Sequence, residues 1–286
     1  MNDHERPIIQ MEAQRDFAKA RNKAFWQEIW SLMTGQNNEL LRFEDVQRSL
    51  GLHNQRYLGL QEIPIDKIVG TVGRYNDFTR KFLPRKTVNQ ERWKRISALA
   101  RGNLGFPPIE VYKVGDAYFV IDGNHRVSVA RQMGQKTIEA YVTELPTSVP
   151  FDANTTPDEL SLKQEYAEFL KETKLDYLRP GCNLLLTESG LYPQILQHIN
   201  VHRYFLGIEN NREVSWEEAV TSWYDNVYLP MIEAIRKYGI LEEFPNRTEA
   251  DLYVWLMHHQ AAIHDNYGGN WLSPEETVRD FKSKLE

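Results

Sequence analysis

The segment that most limits how this chain can fold is Tyr118-Phe-Val-Ile-Asp-Gly-Asn-His-Arg-Val-Ser-Val-Ala-Arg-Gln-Met-Gly134. It reads as a β-rich run, a tight turn at Asp122-Gly123, and a short helix from Val127 to Met133 closed by Gly134. Gly123 can take the backbone angles that such a turn needs. The amides of Asn124, His125 and Arg126 then stand at a helix start, where free N–H groups and the positive end of the helix dipole make a seat for phosphate. Arg126 can fork two hydrogen bonds onto phosphate oxygens. His125 adds a donor, and Asp122 can orient that histidine or help hold a metal. The same turn also joins strand to helix in folds that bind nothing, so spacing alone leaves both readings open.

The flanking sequence predicts an α+β first half. Residues 11–34 repeat Phe17, Phe25, Ile29 and Met33 at helical spacing and end before Gly35. Phe43 to Leu50 reads as a second short helix, and residues 61–69 alternate as a strand. A basic loop runs from Gly70 to Lys86. Thr87 with Gln90 forms a capping pair for a helix ending near Gly102. Pro107-Pro108 forces an extended entry to Ile109-Glu-Val-Tyr. That run and Ala117–Ile121 bracket Gly115-Asp116 as a hairpin, and Ile138–Val142 is a further strand. Pro146 and Pro150 mark a linker over 145–154. Beyond it the pattern is helical, with Ser/Thr starts at Thr156, Ser215, Thr248 and Ser273, each followed by an acid three residues on. Pro230 predicts a kink near Leu229. The domain reading is an N-terminal helical extension over 1–60, a mixed-sheet domain over 61–146 and an all-α acidic domain over 155–286.

Charge follows the same division. Residues 1–150 carry 22 basic and 17 acidic side chains; the remainder carries 12 and 23, within a chain of net charge −6. An anionic ligand therefore belongs with the first half, and the overall charge argues against long-range attraction to DNA. The acidic, aromatic-rich second half is a candidate surface for a protein partner. One cysteine in 286 residues excludes a disulfide scaffold and a cysteine zinc site. Without an apolar span or signal-like start, the expected location is the cytoplasm. His198 and His202 share a helix face but lack a glutamate at 199, so no metal site is expected there.

The run Ile121-Asp-Gly-Asn-His-Arg-Val-Ser-Val-Ala-Arg-Gln-Met-Gly134 resembles the nucleotide-binding turn of the ParB/sulfiredoxin superfamily. Leu83-Pro84-Arg85-Lys86-Thr87 resembles the Pro-Arg-Lys box that opens the ParB N-terminal domain. The order of helix, Gly-x-Pro-Pro-Ile-x-Val strand, hairpin, Gly-x-x-Arg turn and Ile-x-Ala-x-Val strand matches between Gln61 and Glu144. The resemblance implies a ParB/sulfiredoxin-like sheet domain. It also implies a nucleoside di- or triphosphate (ATP, ADP or CTP) with Mg²⁺ held by Pro84, Arg85, Lys86, Thr87 and Asp122–Arg126. It allows a homodimer. Three departures narrow the activity. Asn124 stands where sulfiredoxin-type reductases carry cysteine. Asn124-His125-Arg126 replaces the Glu-Arg-Arg of partition proteins, and the acidic second half replaces their helix-turn-helix. The Asp-Gly-x-His-Arg form is closer to free-serine kinases.

Arg74, Arg80 and Arg85 with Lys86 in the basic loop can surround a polyphosphate. Asp77 there is the first candidate for a general base or magnesium contact, and Glu139 the second. Alternatively, the loop is a solvated basic face in which Asp77 pairs with Arg74 or Arg80. Three functions remain in view: a nucleotide-dependent switch, a small-molecule phosphotransferase using Asp77 or Glu139, and a DNA-associated partition or transcription regulator.

Overall fold

A computed structural model describes residues 5–35, 38–85, 90–101, 105–267 and 271–285. The chain divides into two units, residues 1–160 and 161–286. The first is α+β and the second is helical.

In the first unit the helix α1 spans Glu5–Thr34, followed by β1 (Leu41–Arg42) and α2 (Phe43–Ser49). The strands β2 (Arg56–Pro64) and β3 (Ile68–Thr71) are separated by a single 3-10 turn at Ile65–Lys67, where the sequence reads as one strand. Next come α3 (Gln90–Arg101), the hairpin β4 (Ile109–Val114) and β5 (Ala117–Asp122), α4 (Asn124–Gln132) and β6 (Thr137–Leu145). Six strands form one mixed sheet in the order β1-β3-β5-β4-β6-β2. The hairpin pair is antiparallel, as is β2 with β6, whereas β3 with β5 and β4 with β6 are parallel. Residues before 61 thus supply a strand and most of another to the sheet.

Alternation along the strands sorts side chains onto two faces. Val111, Val120, Ile138, Ala140 and Val142 form one buried face together with Val127 and Ala130 of α4. The other face carries Phe43 stacked on Tyr112, with Phe119 against both Phe43 and Phe151. α1 packs Phe17, Ala20 and Ala24 onto Trp93 of α3, and the Trp93 indole donates to Ser128 Oγ at 2.9 Å. That bond fixes α3 against α4. At the sheet's far side β3 runs close to β1. A Cβ on Gly70 would lie 2.6 Å from Phe119 Cε1 and inside the carbonyl of Leu41.

The second unit holds α5 (Leu160–Thr173), α6 (Leu175–Leu178), α7 (Tyr192–Asn210), α8 (Trp216–Trp223), α9 (Leu229–Tyr238), α10 (Glu249–Tyr267) and α11 (Pro274–Ser283). Ser215, Thr248 and Ser273 each cap as expected, Ser273 in a full capping box. Thr156 does not start a helix: residues 157–159 form a turn and α5 begins at Leu160. Pro230 stands in the first turn of α9. A π-helical turn at Tyr224–Tyr228 joins α8 to α9, which accommodates the missing N–H. The core centres on Trp223, whose indole donates to Tyr253 Oη at 3.0 Å. Among the described residues no helix is long and apolar enough to cross a membrane.

Gly70→Ala therefore forces two sheet neighbours apart. The expected loss is about 2 kcal/mol of stability, read as an earlier urea midpoint with near-unchanged secondary structure by circular dichroism.

Candidate functional site

β5 turns into α4 through Gly123, whose φ is 118°. A Cβ there would sit 2.8 Å from Ile109 Cβ and closer still to its Cγ2 methyl. Only glycine lets the strand turn this tightly under β4. The first helical bond runs from Val127 N–H to the Gly123 carbonyl, and no side chain caps the helix. The amides of Asn124, His125 and Arg126 consequently have no intrahelical acceptor. α4 thus begins at Asn124, three residues before the expected Val127.

A pocket of about 200 Å³ opens in front of these amides, lined by Gly73, Arg74, Arg92, Ile96 and residues Ile121 to Arg126. Asn124 and His125 are buried at its back. Neither ring nitrogen of His125 nor Asn124 Oδ1 has a partner among the described residues. Burial, reinforced by Arg92 and Arg74, pushes His125 down to about 4, with Asp77 pulling weakly the other way. The imidazole is therefore neutral at physiological pH. It packs edge-to-face with Phe78 at a centroid distance of 5.2 Å.

Arg126 is not an open fork. Its Nη2 pairs with Asp122 Oδ2, and Nη1 donates to the carbonyls of Pro107, at 2.9 Å, and Pro108. The side chain straps the extended Pro107-Pro108 entry of β4 to the start of α4. Asp122 thereby orients Arg126 rather than His125.

The other sequence candidates separate. Arg74 lies at the pocket, in the left-handed region with φ 59°. Asp77 closes the following turn, its N–H donating to the Arg74 carbonyl at 2.9 Å, and lies near enough to act on His125. Pro84 is buried in a bridge with Phe78. Arg85 faces α1: Nη2 donates to the Asn38 carbonyl at 3.2 Å, and Nε lies 3.3 Å from Glu28. Lys86, Thr87 and Gly102 lie outside the described residues. Arg80 also leaves the expected cluster, donating to the Thr155 and Ala153 carbonyls. Glu139 is exposed on the sheet face opposite α4, because its neighbours Ile138 and Ala140 take the α4 face. It is not part of this pocket.

Sequence reasoning missed Arg92. Its spacing to Ile96 puts both on one face of α3, a signal present in the helix itself. Three histidines of the second unit have structural partners. His198 Nδ1 is 3.2 Å from Tyr253 Oη, His202 Nε2 is 2.9 Å from Ser222 Oγ, and His259 Nε2 is 2.7 Å from Asp280. Among the described residues no three His, Cys, Asp or Glu side chains converge as a metal site. Burial pushes the Cys182 thiol up to about 11, which disfavours a nucleophilic thiolate near neutral pH.

Residues 53–153 match the family model of the ParB N-terminal domain. This segment is a ParB-like domain. The match begins ahead of Gln61 and so takes in all of β2, and it ends within the linker marked by Pro146 and Pro150. No relative among the curated proteins matches the chain. Within the ParB-like domain the pocket is built by its own β5–α4 turn, by α3 and by the loop after β3.

Two outcomes follow from the buried histidine. The His125 ring proton resonances should titrate near pH 4 rather than near 6.5. Its folded value lies below the unfolded one, so the folded state binds fewer protons between about pH 4 and 6.5. Stability is lost as pH falls through that window. Against the carboxylate background common to both proteins, His125→Gln should lose less stability over the same interval in urea titrations.

Proposed function

We propose that the ParB-like domain binds a nucleoside di- or triphosphate with its phosphates on the start of α4, and that the bound nucleotide switches the protein between states. The observation that carries this reading is a helix start whose first three amides have no intrahelical acceptor, backed by the unpartnered Asn124 Oδ1 and His125 ring nitrogens and flanked by Arg74 and Arg92. Orphaned polar groups at the back of a pocket cost stability unless a ligand satisfies them. Here both the dipole and the two arginines favour an anion. The pocket's volume suits a diphosphate group, with the nucleoside lying outside it. Asp77 and Asp122 are the nearby carboxylates for a magnesium ion accompanying the phosphates. The neutral imidazole of His125 can donate to a phosphate oxygen, and an anion beside it would raise its pKa.

A switch fits the residues better than phosphoryl transfer. Transfer to a hydroxyl acceptor needs a carboxylate placed to take the proton. Glu139 faces away, which leaves Asp77 as the single candidate base of the two. Asp77→Asn separates the readings: a switch keeps nucleotide affinity within a few fold and makes no phosphorylated product in either form.

Calorimetric titration with ATP, ADP, CTP and GTP in Mg²⁺ tests the seat. One nucleotide should bind, and Arg74→Ala and Arg92→Ala should each weaken it by about tenfold, the loss of one charge-assisted contact. Unchanged affinity in both variants would overturn the phosphate seat. Arg126→Ala acts differently, since it frees the Pro107-Pro108 strap and lowers stability as well.

A further inference from the structure

A second cavity of the first unit lies at the other end of α4. It is a groove of about 1480 Å³ between α1 and the segment running from the last turn of α4 to the start of β6. One wall is a stripe of α1 in which Lys23, Trp26 and Trp30 follow one another at helical spacing. Both indoles are about two-thirds exposed, at 65% and 63%. The lining also includes Lys81 and Lys136, with Gln132 and Gln135. Lys23, Lys81 and Lys136 are all exposed.

The floor is positive too. Arg131 Nη2 donates to the carbonyls of Ile65 and Ile68, both at 2.7 Å, and Arg80 Nη2 donates to Thr155 O at 2.7 Å. These partners are neutral, and among the described residues neither guanidinium has a carboxylate within ion-pair distance. Arg131 Nε, Arg80 Nη1 and Asn38 Nδ2 are buried donors without an acceptor there. Against five cations the lining holds one carboxylate, Asp66. A concave, positive surface in a chain of net charge −6 concentrates the field where a polyanion would enter.

We propose that this groove binds a single-stranded nucleic acid segment, with bases stacked on Trp26 and Trp30 and phosphates along Lys23, Lys81 and Lys136. Exposed indoles interleaved with lysines are what an unpaired strand needs, since it offers both π-faces and a charged backbone. A duplex hides its base faces, so the indoles gain nothing from it. The groove is too large for one phosphate and far larger than the pocket at the start of α4. Its α1 wall lies outside residues 53–153, so the site is an addition to the ParB-like domain rather than a part of it. It does not depend on the nucleotide reading.

Fluorescence anisotropy of a labelled oligo(dT) against the full chain, with tryptophan emission followed in parallel, tests the assignment. The strand should bind at low salt and quench emission. Trp26→Ala and Trp30→Ala should each weaken binding by about tenfold, the change that loss of one base–indole stack carries. Both side chains are exposed, so thermal melting should stay unchanged. Lys81→Gln and Lys136→Gln should each flatten the dependence of log affinity on log salt by about 0.7. The matching duplex should bind at least about tenfold more weakly, and Arg74→Ala should leave strand binding intact. Absence of binding at low salt overturns the proposal. So does binding that survives removal of both indoles, or equal binding of the duplex. Capture of an acidic, aromatic peptide in place of the strand also overturns it.

Discussion

The contact between the Ile109 side chain and the Cα of Gly123 is the constraint on which the first unit's chemistry depends. Ile109 begins β4, and Gly123 directly follows the end of the adjacent strand at Asp122. With no side chain at 123, the isoleucine occupies the space that a Cβ would need, and the backbone adopts φ 118°. The chain can then leave the sheet and enter a helix within one residue. A longer turn would move the first amides of α4 away from the sheet edge. Val127 and Ala130 would lose their register on the strand face formed by Val111 and Val120. Gly123→Ala should accordingly damage both packing and site.

Charge organisation follows from that turn. Arg126 projects back along the first turn of α4 and is consumed by Asp122 and two prolyl carbonyls. Its role is to hold the Pro107-Pro108 approach, so positive charge for a ligand comes instead from Arg74 and Arg92. These two also help to keep His125 neutral. The same three groups therefore explain an unprotonated buried histidine and an anion-seeking pocket. An arriving phosphate would relieve the repulsion between them and supply the acceptors that the protein lacks.

Much of this was legible in the sequence. The β5–α4 turn, the hairpin and the ParB-like order of elements all rest on local signals: glycine and proline punctuation, capping pairs and two-residue alternation. What the sequence hid was direction. Arg85 and Arg126 both look available for phosphate, yet each is turned by a partner far along the chain, Glu28 in one case and Pro107 in the other. Glu139 fails by parity, since one step along β6 changes the face. Arg92 was within reach of the pattern, because helical spacing places it beside Ile96. The strand assignment over 61–69 failed where the 3-10 turn at Ile65–Lys67 divides the run. At Pro230, the π-helical turn that precedes α9 has no local signature beyond the proline itself.

The central claim is that the start of α4 receives phosphate. The most direct measurement follows backbone amide resonances of ¹⁵N-labelled protein during titration with magnesium nucleotides. The account predicts that the Asn124, His125 and Arg126 amides shift together and saturate with one nucleotide, moving in step with the Arg74 and Arg92 signals. Saturable binding that leaves those three amides in place, or a titration in which no nucleotide moves them, would contradict it.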